Sequence, residues 1–322
     1  MRAIRVHENG GPEVLRPEDV PAPEPGEGEV RIRVHAAGVN FIDVYQRTGL
    51  YARPLPFIPG MEVAGTVDEV GPGVDEVAVG DRVAHGFVPG GYAEQQVVPA
   101  DRVVAVPEGV ELETAAAVML QGMTAHYLTN STFPLEPGHI ALVHAGAGGV
   151  GLLLTQIATR RGATVYATTS TDEKAELARA AGAAEVIRYD QVAVDEEVRR
   201  LTDGRGVDVV YDSVGKDTFE ASLASLARRG MLVLFGQSSG SAPMFDPQRL
   251  NPAGGVFLTR PSVAHYTADR EELVWRARDI FSWIRAGDLD VRIGETHPLE
   301  DAAEAHRRLE GRLTTGKVLL LV

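Results

Sequence analysis

At 322 residues the chain has room for about two domains, and its 44% apolar content supplies real cores and excludes a disordered chain. A net charge of −14 and a pI near 5.1 argue against a nucleic-acid footprint, which needs a basic face. There is no cysteine, which excludes disulfides, thiolate zinc sites and cysteine nucleophiles. The opening Met1-Arg2-Ala3-Ile4-Arg5-Val6-His7 lacks an apolar signal core, and no apolar run approaches a membrane span. A cytosolic protein without a membrane partner is expected.

Residues 1–110 read as short strands broken by Pro and Gly. Ala3-Ile4-Arg5-Val6 alternates, residues 21–28 form a stiff Pro/Gly loop, and residues 29–36 alternate with one apolar and one charged face. Further strands are expected at 63–70, 82–84, 93–98 and 103–106, separated by turns such as Gly71-Pro72-Gly73 and Pro89-Gly90-Gly91. This pattern predicts a compact β-barrel or sandwich. From residue 113 the period changes, and residues 113–130 have few breakers and read as a helix.

Strands and helices then alternate. Strands are expected at 140–143, 164–168, 185–187, 207–212, 231–236 and 256–259. Asp172 is expected to cap a helix that stops at Gly182, and Phe219, Leu223 and Leu226 to share one face of a helix ending near Gly230. Six strands in this rhythm predict a doubly wound parallel sheet. Beyond residue 262, Leu273, Ala277, Ile280, Phe281 and Ile284 form an apolar helical stripe, and residues 299–309 read as another helix. The terminal Lys317-Val318-Leu319-Leu320-Leu321-Val322 reads as a strand in need of a sheet, and the N-terminal β region is its expected place.

The most informative stretch is His139-Ile140-Ala141-Leu142-Val143-His144-Ala145-Gly146-Ala147-Gly148-Gly149-Val150-Gly151. Gly146, Gly148 and Gly151 fit G-x-G-x-x-G between a strand and a helix. The pattern suits a tight turn, close backbone approach to a pyrophosphate, and phosphates seated on free helix N–H groups. The next question is which dinucleotide. NAD binders usually place Asp or Glu at the end of the second strand, where it bonds the ribose 2′-hydroxyl. Here that stretch is Thr168-Thr169-Ser170-Thr171, with Lys174 one helical turn beyond Ser170. A hydroxyl and a lysine suit a 2′-phosphate; spacing alone accounts equally well for Lys174 as a solvated helix lysine.

Several long stretches occur in one order: Ala37-Gly38-Val39-Asn40-Phe41-Ile42-Asp43-Val44-Tyr45, Pro59-Gly60-Met61-Glu62-Val63-Ala64-Gly65, Val79-Gly80-Asp81-Arg82-Val83, Leu120-Gln121-Gly122-Met123-Thr124, the glycine loop, and Phe235-Gly236. Together they resemble the medium-chain dehydrogenase/reductase superfamily and, within it, the zinc-independent quinone oxidoreductases, over essentially the whole chain. The resemblance implies a discontinuous GroES-like β-barrel domain at 1–121 and 262–322, and a Rossmann NADPH-binding domain at 122–261. Zinc-dependent relatives carry a cysteine at the position of Asn40 and a histidine at that of Met61, beside a retained glutamate matching Glu62. With these departures, and with nine histidines that form no ligand-spaced cluster, no metal is expected.

By resemblance, Asn40, Tyr45 and Tyr51 line the cleft near the nicotinamide, and Thr124 meets the carboxamide. Gly148, Gly149, Val150 and Gly151 form the pyrophosphate loop, and Ser170, Lys174 and Tyr189 the adenosine-phosphate pocket. Phe235, Gly236 and Gln237 match the strand end above the cofactor, and residues 257–262, with Leu258 and Arg260, the hinge segment near the nicotinamide. Arg312 and Lys317 are further candidates. Each position has a plainer reading: Asn40 as a helix cap, Tyr45 and Tyr51 as packing tyrosines, Thr124 bonded to its own helix.

The implied activity is hydride transfer from NADPH to a quinone, with Asn40 and Tyr51 stabilising developing negative charge and Tyr51 as proton donor. An NADPH-dependent enoyl or enone reductase is the alternative. A non-enzymatic cofactor sensor or nucleic-acid-binding module is disfavoured by the acidic balance. A homodimer is implied, through the last strand of the cofactor domain.

Overall fold

One long strand, Glu29–Val39, organises the first half of the structure, a computed structural model that describes residues 1–322. It pairs antiparallel with Glu62–Val70 along its length, with Gln95–Pro99 at its start and with Lys317–Leu321 at its end. The full path runs Ile293–Pro298, Lys317–Leu321, Glu29–Val39, Glu62–Val70, Arg82–Gly86, Val104–Ala105. Val30, Ile32, Val34 and Ala36 are buried at alternate positions, and from Ala36 to Val39 every residue is buried. The register against Glu62–Val70 shifts between Arg31 and Ile32 and again between Val34 and Ala36. The strand feeds two cores along its length. Val30 and Ile32 pack with Val67, Val83 and Val98, whereas Val34, Ala37 and Val39 pack with Val63, Tyr92, Leu299, Ala302 and Ala305.

The chain divides into two units, Met1–Met123 with Thr267–Val322, and Thr124–Tyr266. The first boundary falls inside the helix Leu112–Tyr127 and the second after the short helix Val263–Tyr266, a few residues beyond the expected divisions. Ile293–Pro298 has no clear alternation in sequence; it is a half-buried edge strand held in parallel by Lys317–Leu321.

The second unit is a six-stranded, all-parallel sheet. Its spatial order is Glu185–Arg188, Thr164–Thr169, Ile140–Val143, Val207–Asp212, Leu226–Leu234, Phe257–Thr259. Numbered by sequence within the sheet this is the 3-2-1-4-5-6 order of a doubly wound dinucleotide fold, in which ligands bind at the carboxyl ends of the strands. Two expectations are corrected. The helix expected to reach Gly230 is only Phe219–Ala224; Leu226 already belongs to the next strand, pairing with Val207, and an irregularity that includes Arg229, with φ of 62°, shifts the register so that Val209 pairs with Met231. The helix cap at 172 is Thr171 rather than Asp172. Thr171 is extended, and its hydroxyl accepts the Lys174 N–H, so Asp172 becomes the first helical residue.

Candidate cofactor and reaction site

The glycine loop leaves the strand Ile140–Val143 and opens the helix Gly149–Arg160. A Cβ on Gly151 would run into the Ala145 carbonyl oxygen and come within 3.0 Å of Gly146 Cα; one on Gly146 would lie 2.7 Å from the Ala167 side chain. These glycines allow helix, turn and neighbouring strand to touch. Gly148 caps the helix without a side-chain hydrogen bond, and the first turn contains no acidic residue. No carboxylate of its own first turn therefore occupies the leading N–H groups or the positive end of the helix dipole, and residues 148–150 are only half-buried. This cradle fits a pyrophosphate.

Around it, the strand ends bring several expected residues together. Ser170 follows Thr164–Thr169, Lys174 lies one turn into the helix Asp172–Ala180, and the Tyr189 N–H donates to the Thr169 carbonyl at 3.2 Å. Phe235 and Gly236 follow the strand Leu226–Leu234 and donate their N–H groups to the Asp212 carbonyl at 2.8 and 3.3 Å; Gln237 comes next and is half-buried. Leu258 lies in the edge strand opposite Leu232, and exposed Arg260 donates to the Pro261 carbonyl.

Beneath these ends runs a buried chain whose polarity follows from its acceptors. Asp212 can only accept, so the Ser222 hydroxyl donates to it at 2.7 Å; Ser222 therefore accepts from His144 Nε2 at 2.9 Å, and His144 Nδ1 accepts from the Thr168 hydroxyl at 3.1 Å. Burial lowers the His144 pKa and favours the neutral ring this chain requires. The Asp212 carboxylate also takes Val214 N–H at 2.8 Å, Gly215 N–H at 3.0 Å and the Thr218 hydroxyl. His144 thus ties the glycine loop to the ends of two other strands.

In the first unit Asn40 caps the helix Phe41–Arg47 through a reciprocal capping box with Asp43. Asn40 is 5% exposed and its amide is fully engaged. Oδ1 accepts from the Lys317 ammonium at 2.8 Å, while Nδ2 donates to Glu62 at 2.9 Å and to the Gly38 carbonyl at 3.1 Å. Lys317 also pairs with Glu62 Oε2, and Leu120 N–H donates to Glu62 Oε1 at 2.5 Å. A Cβ on Gly38 would meet the ends of the Glu62 and Lys317 side chains, so a larger residue there would have to displace that pair. From Asp43 a second chain runs outward. Tyr92 donates to Asp43 at 3.0 Å, His306 Nε2 meets the Tyr92 hydroxyl at 3.2 Å, and Arg47 links His306 Nδ1 to Glu310. Burial pushes the Asp43 carboxyl up to about 7 and the His306 imidazole down to about 3.

This donor set does not fit a zinc ion. Both Glu62 oxygens are taken, one of them by an ammonium; Met61 sulfur accepts from Gln46 Nε2 at 3.3 Å; and no three His, Asp or Glu side chains lie together as ligands.

Tyr45 and Tyr51 pack edge to face with ring centroids 5.3 Å apart, and the Tyr51 N–H donates to the Tyr45 carbonyl at 2.9 Å. Tyr51 is 38% exposed. Thr124 is buried in the helix Leu112–Tyr127, and Arg312 takes a left-handed backbone with φ of 57°. The sequence does not single out Tyr92, Arg47 or His306: Tyr92 follows a Gly-Gly turn, and Arg47 and His306 lie in short helices of mixed polarity.

Fold and site define an oxidoreductase-type architecture: one unit is a dinucleotide-binding parallel sheet and the other an antiparallel β unit. Known proteins narrow this. Residues 26–108 match the family described as "Alcohol dehydrogenase GroES-like domain", and residues 149–272 that described as "Zinc-binding dehydrogenase". The chain is 46% identical to a quinone oxidoreductase of Pseudomonas aeruginosa, over 99% of both chains. It is 42% identical to a 2-haloacrylate reductase of a Burkholderia species, over 100% of this chain and 99% of that one. A mycobacterial protein solved in complex with NADPH superposes with a TM-score of 0.97, at 52% identity and full coverage of both chains. The chain belongs to the quinone oxidoreductase family of the medium-chain dehydrogenase/reductase superfamily. No helix is long and apolar enough to cross a membrane.

Proposed function

We propose that the chain is an NADPH-dependent quinone oxidoreductase that works without a metal. The observation that carries this is the combination in one sheet of an uncapped, acid-free helix start at the glycine loop with Ser170 and Lys174, and no carboxylate, at the end of the neighbouring strand. Bound NADPH supplies the hydride. The glycine loop holds the pyrophosphate; Ser170, Lys174 and Tyr189 hold the adenosine phosphate; Phe235, Gly236, Gln237, Leu258 and Arg260 support the nicotinamide end, with Thr124 at the carboxamide.

A quinone that receives hydride becomes an anion and needs donors and one proton. Tyr51 is the donor this reading assigns, with its ring steadied by Tyr45. Asn40 has no amide hydrogen left for substrate, so its part is to cap and position the helix that carries Tyr45. Tyr51→Phe is expected to lower kcat with quinones about tenfold while leaving NADPH binding unchanged; unchanged kcat would remove Tyr51 from proton delivery.

A second reading, reduction of an activated carbon–carbon double bond, is favoured by the likeness to the 2-haloacrylate reductase. Steady-state rates on a panel of quinones and α,β-unsaturated carbonyl compounds separate the two: higher kcat/KM with quinones supports the first, and turnover confined to the unsaturated carbonyls supports the second. The proposed assembly is a homodimer through the edge strand Phe257–Thr259, which has one sheet neighbour and exposes Phe257 by 55%.

A further inference from the structure

Arg188 ends the strand Glu185–Arg188 and lies opposite Thr169, the residue before Ser170. Its guanidinium is divided between two carboxylates. Nε and Nη2 form a two-pronged fork on Asp190, at 2.9 and 2.8 Å. Nη1 reaches Asp172, just past the Ser170–Thr171 turn, in a close ion pair. The two partners differ. Asp190 sits two residues away and fixes the plane of the fork. Asp172 is 95% exposed and Nη1 is its only ion-pair contact. The Arg188 side chain is itself only 17% exposed, so most of it is held by the protein around it.

We infer that Arg188 is a second cation for the 2′-phosphate of the cofactor, and that Asp172 occupies its Nη1 edge until the phosphate displaces it. The inference rests on the NADPH reading given above. A phosphate monoester carries more charge than a carboxylate and has three acceptor oxygens. It competes for a guanidinium edge already oriented by Asp190, and planar, preoriented donors of this kind favour phosphate over a point contact. The Asp172 carboxylate leaves at little cost, because an exposed ion pair contributes little and its oxygens return to water. NADH brings a neutral hydroxyl to the same place and has nothing with which to displace Asp172. The pair therefore acts on the choice between the two dinucleotides, in addition to Lys174.

The plainer alternative is a surface ion pair that only fastens the strand end to the helix. Titration calorimetry with NADPH and with NADH distinguishes the two, applied to the unaltered chain, Arg188→Ala, Asp172→Asn, the double variant and Lys174→Ala, with thermal melting recorded for each. Arg188→Ala is expected to weaken NADPH about tenfold or more and to move NADH by no more than about twofold. Asp172→Asn is expected to tighten NADPH severalfold, and to lose most of that gain when Arg188 is absent. Equal losses for both dinucleotides, no loss for NADPH, or an Asp172→Asn gain that survives without Arg188 would overturn the inference. If Lys174→Ala alone weakens NADPH, the cofactor reading stands and Arg188 is excluded. If the unaltered chain binds NADPH and NADH equally, the cofactor reading itself fails.

Discussion

Asn40 spends every polar atom of its amide inside the protein, and its orientation is set by partners that can each play only one role. Lys317 can only donate and Glu62 can only accept, so the amide cannot turn over without losing both. The position of Asn40 was legible in the sequence, but its partner was not. Lys317 lies 277 residues away, at the start of a strand whose pattern announces only apolar packing. Removing one member of the buried Lys317–Glu62 pair leaves an uncompensated charge. Lys317→Met or Glu62→Gln alone is expected to cost about 3–5 kcal/mol in urea unfolding, and the double variant to recover most of it.

Asp43 gives a pH signature. Its folded pKa, near 7, is raised by burial above the unfolded value, so its stabilising contribution is complete at low pH and lost as pH rises through about 7. His306, and His85 with a folded pKa near 4, are depressed by burial; their contributions are complete above the unfolded histidine value and lost as pH falls. The difference in stability between the unaltered chain and Asp43→Asn isolates the first effect. It is expected to move in favour of the variant by up to about 1.4 kcal/mol per pH unit between pH 4 and 7 and to be flat above. A flat difference across that range would show that Asp43 stays ionised.

Among the elements, the strand–loop–helix at residues 140–160 was the most legible, because its glycines answer to backbone contacts that no side chain permits. Gly151→Ala is expected to separate the helix start from Ala145 and weaken NADPH binding by about tenfold or more by calorimetry; unchanged affinity would show that the turn has slack. The misread boundaries have local causes. Leu226 continues a helical apolar stripe by spacing, yet its backbone is claimed by the ladder to Val207. Asp172 and Thr171 are both good caps by composition, and only backbone geometry chooses between them. The edge strand Ile293–Pro298 owes its existence to a neighbour rather than to its own pattern.

At the scale of the whole molecule, the rhythm of strands and helices was enough to predict a doubly wound sheet, because parallel strands buried on both faces leave short apolar runs between helices. The cofactor unit contains the features assigned to NADPH, and the β unit contains the Asn40–Lys317–Glu62 cluster with the Tyr45–Tyr51 pair. Assembly is tested at the exposed edge. Leu258→Pro, which removes a ladder donor from Phe257–Thr259, is expected to shift the proposed homodimer to monomer in sedimentation equilibrium; an unchanged mass would place the contact elsewhere. The central claim is metal-free, NADPH-selective quinone reduction. It is tested most directly by kcat/KM for NADPH and NADH with a fixed quinone, on protein treated with a strong chelator and analysed for zinc. The account predicts full activity without zinc and a clear preference for NADPH; activity that disappears with the metal, or equal use of NADH, would contradict it.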